Sequence, residues 1–236
     1  MLEIAQSVNP KNPYVISRGM KFPKVPEIMG GRIRASLRDG GYEAKEAECV
    51  LRNVKPDDTV IELGGGIGFM STLAATKCGA KAVHTYEGNP RLIPYIRAVH
   101  LANDCTHVEI NNALLGPRKG EVDFYIRKNI LSSSMEEMEG NPPVETARIE
   151  VRNAKSEFKR IQPSVLICDI EGAEAHLIPQ LPLDGLRCAI LELHPQWIGP
   201  EGVNAVFQAF INAGLAYYPR FSNKKVVCFR RDWHVT

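Results

Sequence analysis

Two apolar segments in the second half of the chain each lead into side chains that can take up a proton. The first leads into Asp169 and Glu171, and the second leads into His194. Because such segments predict buried strands, we expect these side chains at one edge of a sheet. A carboxylate or an imidazole there can act as a general base toward a bound hydroxyl group. We take His194 as the first candidate base and Glu171 or Asp169 as the second, with Asp169 also placed to orient a cofactor.

Purely structural roles stay open for some of these residues. Glu171 and Glu174 fall around the first turn of a predicted helix, where the helix dipole and the free amide groups favour carboxylates. His194 precedes Pro195 and would also be explained by a hydrogen bond to a neighbouring carbonyl group. Asp169 stands at a strand end, where it fits a capping role less well, so function is the better interpretation for it.

A glycine-rich turn follows an apolar strand that ends in Glu62. Its glycines are Gly64, Gly65, Gly66 and Gly68. Glycines at such a turn let the backbone approach a ligand closely. A dinucleotide fingerprint would need glycine in place of Phe69, and a phosphate loop would need Lys followed by Ser or Thr. The pattern of an acidic residue followed by alternating glycines is instead typical of sites for S-adenosylmethionine, a ligand without phosphate.

The next predicted strand ends in a second carboxylate, Glu87, which lies 19 positions after Gly68. An acidic residue at about this spacing accepts hydrogen bonds from ribose hydroxyl groups in nucleotide-binding folds. The third strand leads into Asn112 and Ala113. Asn112 can hydrogen-bond the edge of an adenine, and Ala113 would leave room for the ring. A polar turn between two elements explains the same two residues equally well.

The remaining pattern alternates strands with helices, which predicts a doubly wound and mainly parallel sheet. We expect residues 1–24 to be irregular because three prolines interrupt them, and helices over 27–37 and 43–54. Strands near 217–220 and 225–230 would close the sheet as a hairpin. The predicted organisation is an N-terminal extension over 1–41 and one domain over 42–236, with a hairpin and loop inserted at about 121–152.

Composition sets outer limits on the class of protein. The chain has 236 residues, 44% of them hydrophobic and 24% charged, with a formal net charge of +2. This charge gives no electrostatic case for nucleic acid or an anionic membrane as partner. The six cysteines form no C-x-x-C pair, which favours reduced thiols and a cytoplasmic protein over disulfides or zinc. We also expect neither a membrane span nor a signal peptide.

An ordered set of these motifs resembles the FkbM family of methyltransferases. The motifs run in order from about residue 42 to 230, and the D-x-E-G-x-E element is the most distinctive. They are Tyr42 and Glu43, the glycine turn from Glu62 to Gly68, Tyr86 to Pro90, Asn112 and Ala113, Ser133 and Ser134, Asp169 to Glu174, and Glu192 to Pro195. One departure is Gly65, where members of the family often have alanine. The first 40 residues lie outside the resemblance and are candidates for a substrate lid or an oligomer contact.

The resemblance implies a Rossmann-like, seven-stranded, mostly parallel class I methyltransferase fold with a short helical N-terminal extension. It implies S-adenosylmethionine as methyl donor and O-methylation of a hydroxyl group on a sugar or other small polar metabolite. The cofactor would contact Glu62, the four glycines, Glu87, Asn112, Ala113 and Asp169. The acceptor would contact Ser133 and Ser134.

Four other points stay open at this stage. Our first expectation is that the protein binds no metal. The alternative is a methyltransferase assisted by a divalent cation, which would use Asp169 and Glu171 as oxygen ligands and Glu192 as a third. A cofactor-binding module without catalysis would keep Glu62, the glycines and Glu87 alone. The identity of the acceptor and the formation of a homo-oligomer are not indicated by the sequence.

Overall fold

The computed structural model describes residues 12–127 and 142–232. We number the strands in chain order as β1 to β12: Tyr14–Ser17, Met20–Pro23, Thr59–Leu63, Ala82–Tyr86, Val108–Asn111, Leu114–Gly116, Gly120–Ile126, Glu145–Asn153, Val165–Cys168, Cys188–Glu192, Ala216–Tyr217 and Val226–Arg230. The α-helices α1 to α7 are Gly31–Arg38, Ala44–Asn53, Phe69–Thr76, Ile93–Ala102, Ala154–Ile161, Glu174–Leu177 and Pro195–Asn212. None of the helices in these two ranges has both the length and the apolar character of a membrane span.

Seven strands form the central sheet, in the order β11-β12-β10-β9-β3-β4-β5. Strands β5, β4, β3, β9 and β10 are parallel, while β12 pairs antiparallel with both β10 and β11. The predicted doubly wound, mostly parallel sheet is therefore confirmed, as is its closure by a C-terminal hairpin. After β3 the chain adds β4 and then β5 on one side of β3, and it later crosses over to form β9 on the other side of β3. Strand order thus reverses between β3 and β9.

Helices cover both faces of this sheet because its strands are apolar on both sides. Successive residues of β3 face opposite cores, with Val60 in the first and Ile61 in the second. The first core includes apolar side chains of α2, α3 and α4, and the second includes those of α5 and α7. Continuous apolar strands of this kind are what a parallel sheet buried on both faces requires.

The N-terminal region differs from the expectation of an irregular segment. Strands β1 and β2 form an antiparallel hairpin whose two turn residues, Arg18 and Gly19, both have positive φ. Such a two-residue turn matches the twist of the strands, and prolines at the ends of a two-stranded ribbon do not disturb its pairing. Phe22 of the hairpin stacks on Phe69 of α3 with ring centroids 5.5 Å apart. The described part of the extension, including α1, therefore packs into the main core.

A separate sheet has three strands in the order β6-β8-β7; β7 and β8 lie in the region predicted as an insertion, and β6 lies before it. Strand β7 pairs antiparallel with β8 from Gly120 opposite Val151 to Ile126 opposite Glu145. The buried side chains of this three-stranded sheet, Phe124, Ile126 and Ile149, form a small core of their own. Ser133 and Ser134 lie outside the described residues.

Candidate functional site

The loops after β3 and β9 touch each other at the point where strand order reverses. The amide of Asp169 donates to the carbonyl of Leu63 at 2.9 Å, and Gly64 has a φ of +88°. A Cβ atom added to Gly64 would lie 1.7 Å from the carbonyl oxygen of Asp169. Glycine is required here because the neighbouring backbone occupies the space of a side chain. Ligands of doubly wound sheets bind beyond the strand ends at such a reversal.

Glu62 fixes the glycine turn to the helix that follows it. Its Oε1 accepts a hydrogen bond from the amide of Ser71 in α3 at 3.0 Å, and its side chain is buried. Burial raises the pKa of Glu62 to about 7, against the lowering effect of Thr85 and Ser71. Its second oxygen, Oε2, is buried and accepts no hydrogen bond from the described residues. Glu62 therefore holds the glycine turn against α3 at the cavity wall.

Glu87 joins the glycine turn to the end of the neighbouring strand β4. Its Oε2 accepts from the amide of Gly66 at 2.8 Å, and its Oε1 accepts from the amide of Asn89 at 2.7 Å. Burial raises the pKa of Glu87 to about 7, although the backbone amides oppose this effect. The turn and the second carboxylate thus form one connected unit, as the spacing predicts.

Asn112 and Ala113 follow β5 but differ in what they face. The side-chain amide of Asn112 donates to the carbonyl groups of Glu87 at 2.8 Å and Gly88 at 3.2 Å. It therefore stabilises the loop after β4, which is the polar-turn role. Ala113 is buried and lies in the wall of a cavity at the strand ends. Contact of either residue with an adenine stays a prediction.

The strand ends surround a cavity of about 530 Å³. Its walls carry carboxylates from several elements, namely Glu43, Glu46, Glu62, Glu87, Asp169, Glu171 and Glu192. Among the described residues that line it there is neither lysine nor arginine. Apolar side chains of the three-stranded sheet and its approach cover the other side, including Leu114, Leu115, Val122, Phe124 and Val151. The cavity therefore has an apolar wall on one side. The wall that carries the carboxylates lies on the other side and is called the acidic floor.

Two of these acids, Glu46 in helix α2 and Glu43 just before its first residue, are not among the site residues predicted from the sequence. Burial raises the pKa of Glu43 to about 8 and that of Glu46 to about 9, and neighbouring carboxylates add to both shifts. Asp169 has a pKa of about 7, raised by burial first and by Glu171 and Glu192 next. A glutamate on the buried side of an amphipathic helix, close to Ala47 and Val50, is the sequence signal that could have pointed to Glu46.

His194 lies behind the acidic floor and is not among the described residues that line the cavity. Its Nδ1 is 2.8 Å from Oε1 of Glu174, and its ring stacks on Trp197 at 4.9 Å. Its Nε2 lies 3.4 Å from Oε2 of Glu171 and 3.7 Å from Oδ1 of Asp169. Burial opposes the charged ring, but the bond to Glu174 and the other carboxylates raise the pKa of His194.

The structure thus brings together His194, Asp169 and Glu171, the three residues proposed for proton transfer. Asp169 and Glu171 face the cavity, and His194 supports them from the side away from it. Glu171 has a φ of +53°, and Glu174 is fully buried, with its Oε1 also accepting from the amide of Gly172 at 3.2 Å. Glu174 therefore ties the turn after β9 to the histidine and is more than a solvent-exposed helix cap.

Comparison with solved structures shows a likeness at the level of the fold. A Pyrococcus horikoshii protein provisionally described as a transferase has a TM-score of 0.51 and 16% identity, over 91% of this chain and 70% of that one. A Streptococcus mutans protein provisionally described as an S-adenosylmethionine-dependent methyltransferase has a TM-score of 0.50 and 13% identity, over 94% of this chain and 55% of that one. These similarities confirm the expected Rossmann-like fold.

No protein-family model matches the chain, and no curated protein sequence is similar to it. The resemblance to the FkbM family therefore rests on the ordered motifs alone.

Proposed function

We propose that this protein is an S-adenosylmethionine-dependent methyltransferase that methylates a hydroxyl group of a sugar or another small polar metabolite. The observation that carries the proposal is the cavity at the strand reversal, which joins the glycine turn and Glu87 to an acidic floor without lysine or arginine among its described lining residues. The FkbM-like motifs support the same reaction class, as does the similarity in fold to the Streptococcus mutans protein that is provisionally described as a methyltransferase.

The charges of the cavity fit this cofactor better than a dinucleotide. A sulfonium group is positive, and carboxylates in a poorly solvated cavity attract a positive ligand. A pyrophosphate group is negative and would meet Glu62, Glu87 and Asp169 with no compensating lysine or arginine from the described wall. We expect the carboxylate of Glu87 to accept hydrogen bonds from the ribose hydroxyl groups in addition to those from the backbone amides.

Bound S-adenosylmethionine would supply a methyl group that is already activated by positively charged sulfur. The residues of this chain then have to hold the acceptor hydroxyl in line and remove its proton. Asp169 and Glu171 are the groups on the cavity wall that can take this proton. His194 would act through them, since its Nε2 faces both carboxylates and its Nδ1 is held by Glu174. This assignment replaces direct proton removal by His194.

A module that binds the cofactor without catalysis is the competing proposal. Such a module would need Glu62, the glycine turn and Glu87 but would not need three further groups at and behind the cavity floor. Oδ1 of Asp169 and Oε2 of Glu171 both lie within 4 Å of Nε2 of His194, and this arrangement favours an enzyme. A cytoplasmic location and the exclusion of nucleic acid as substrate remain predictions from the sequence, and the oligomeric state stays open.

Calorimetric titration with S-adenosylmethionine tests the cofactor, and NAD serves as the control ligand. We expect saturable binding of S-adenosylmethionine and none of NAD. A screen with a labelled methyl donor against glycosides and other hydroxylated metabolites then tests the reaction. Binding of NAD in place of S-adenosylmethionine would overturn the proposal, and binding without transfer to any acceptor in the screen would favour the module.

A further inference from the structure

Trp197 is a large aromatic side chain that stays partly exposed although it lies against the residues of the site. Its exposed fraction is 44%. Its indole ring stacks on the imidazole ring of His194, with ring centroids 4.9 Å apart and an angle of 14° between the planes. Nearly parallel rings at this distance form an offset aromatic stack. One face of His194 is therefore covered by the indole.

The two nitrogens of His194 contact carboxylates on other elements. Nδ1 is 2.8 Å from Oε1 of Glu174 in α6. Nε2 lies 3.4 Å from Oε2 of Glu171 and 3.7 Å from Oδ1 of Asp169, both in the turn after β9. The carboxylates therefore fix the ring within its plane, and Trp197 fixes it from one face.

Trp197 also lies directly on the turn that carries the two cavity carboxylates. A Cβ atom added to Gly172 would lie 3.1 Å from Cε3 and 3.3 Å from Cβ of Trp197. Gly172 also has a φ of +104°, which side chains other than that of glycine disfavour. Because Gly172 directly follows Glu171, the indole contacts both the histidine and the turn whose carboxylates the histidine faces.

A kink in α7 gives Trp197 this position. Gly199 has a φ of +61° and a ψ of −179°, which are not helical values, and Pro200 follows it. Residues 195–198 therefore form a turn whose direction differs from that of the later part of the helix. The amide of Trp197 donates to the carbonyl of His194 at 2.9 Å, which ties this turn to the histidine.

The surroundings of His194 favour a positively charged ring. The charged groups that face it are three carboxylates, those of Asp169, Glu171 and Glu174. An indole face attracts a cation that lies within about 6 Å of its centroid. Burial lowers the pKa of His194, but the bond to Glu174 and the other two carboxylates raise it overall. Glu192 and Lys225 act on Glu171 and are not among the groups that face the ring.

We infer that Trp197 is a positioning residue that holds the ring of His194 against Asp169 and Glu171 and keeps the turn at Gly172 in place. This role rests on the proposed function, in which one of the two carboxylates takes the proton of the acceptor hydroxyl. Proton removal requires a base held within hydrogen-bond reach. Trp197 is not among the described residues that line the cavity, so it acts through its neighbours.

NMR titration of the histidine Cε1 protons measures the pKa of His194 in the full chain without cofactor or acceptor. The signal of His194 is the one that is lost in His194→Ala. We expect Trp197→Leu to lower this pKa by about 0.5, because the aromatic face that attracts the protonated ring is removed. Trp197→Phe keeps a weaker aromatic face and should lower the pKa by about 0.2.

Ile211→Ala is the matched control, because Ile211 is an apolar side chain on the same helix and is 54% exposed. It should leave the pKa of His194 unchanged. With an acceptor found in the screen, kcat should fall by about ten-fold in Trp197→Leu and by less than about three-fold in Trp197→Phe. KM for S-adenosylmethionine should stay near the wild-type value in both. Thermal melts show whether each variant is folded.

An unchanged pKa of His194 in Trp197→Leu would overturn this role, as would an equal fall in Trp197→Leu and Trp197→Phe. If Trp197→Leu does not fold, an unchanged pKa in Trp197→Phe decides against it. A lower pKa with unchanged kcat would also contradict it. A wild-type protein that does not bind S-adenosylmethionine refutes the proposed function alone, because the pKa of His194 is measured without the cofactor.

Discussion

The carbonyl oxygen of Asp169 occupies the space that a side chain on Gly64 would need. This contact joins the loops after the two central strands and sets how closely the glycine turn approaches the acidic floor. Gly64 also has a positive φ, so two separate physical reasons require glycine. The position therefore serves both the fold and the cavity.

Replacing Gly64 with alanine should lower the free energy of unfolding by at least about 3 kcal/mol, since the carbonyl of Asp169 has to move and the left-handed backbone is strained. Gly79→Ala is the matched control, because Gly79 has a φ of +65° but open space around it. We expect the control to cost about 1 to 2 kcal/mol. Urea unfolding measures both, and equal stability of the two variants would contradict the steric argument.

A pH-dependent contribution to stability comes from Asp58 and Arg187 at the opposite end of the strands. Oδ1 of Asp58 accepts from Nε of Arg187 and from the hydroxyl of Ser164, both at 2.7 Å. Burial alone would raise the pKa of Asp58, but these two hydrogen bonds lower it below its ordinary value. A depressed carboxyl pKa stabilises the fold above the unfolded value of about 3.9, and this stabilisation is lost as the pH falls through the folded value.

We expect Asp58→Asn to cost about 3 to 5 kcal/mol near neutral pH, because Arg187 is left without its buried counter-charge. The difference from wild type should shrink as the pH falls below about 4. Asp57→Asn is the control, because Asp57 is the exposed neighbour of Asp58. Its free energy of unfolding should differ little from that of wild type. Unfolding curves at several pH values check this, and a difference that stays constant down to acid pH would rule out the ionised pair.

Cofactor affinity should depend on the ionisation of Glu87. Its pKa of about 7, raised by burial, means that the carboxylate forms only as the pH rises through neutrality. Because an ionised carboxylate accepts ribose hydroxyl groups better, affinity for S-adenosylmethionine should increase by up to about ten-fold from about pH 6 to about pH 8. Calorimetry of wild type and Glu87→Gln measures this. If Glu87→Gln binds S-adenosylmethionine with the wild-type affinity and the same dependence of affinity on pH, Glu87 does not contact the cofactor.

His194 is expected to affect turnover and not cofactor binding. It supports Asp169 and Glu171 from behind the cavity wall, so His194→Ala should lower kcat by about 10²- to 10⁴-fold with an acceptor found in the screen. Affinity for S-adenosylmethionine should stay near the wild-type value. The exposed His107 provides the control, His107→Ala. Loss of cofactor binding in His194→Ala, with the fold intact, would refute the supporting role.

The glycine turn and the two acid-ended strands can be predicted from the sequence because each depends on neighbouring residues. Glu62, Gly64 to Gly68 and Glu87 belong to one strand-helix-strand unit, whose local pattern fixes where the turn and the carboxylates lie. The hairpin at the N-terminus was missed because prolines at its ends masked two short strands. The turn at Arg18 and Gly19 can be recognised as a hairpin turn only in the folded protein, where the two strands pack on Phe69.

The acidic floor is a property of the tertiary structure. Glu46 reaches Asp169 and Glu192 only because α2 packs against the sheet beside β10, and sequence spacing carries no information about this distance. The same holds for His194, whose type and strand-end position indicated chemistry but whose ring lies behind the wall and is held by Glu174. The sequence by itself determined which side chains stand at the strand ends, since strand periodicity is local. Packing of distant elements decided which of them meet, which face the cavity and which only support it.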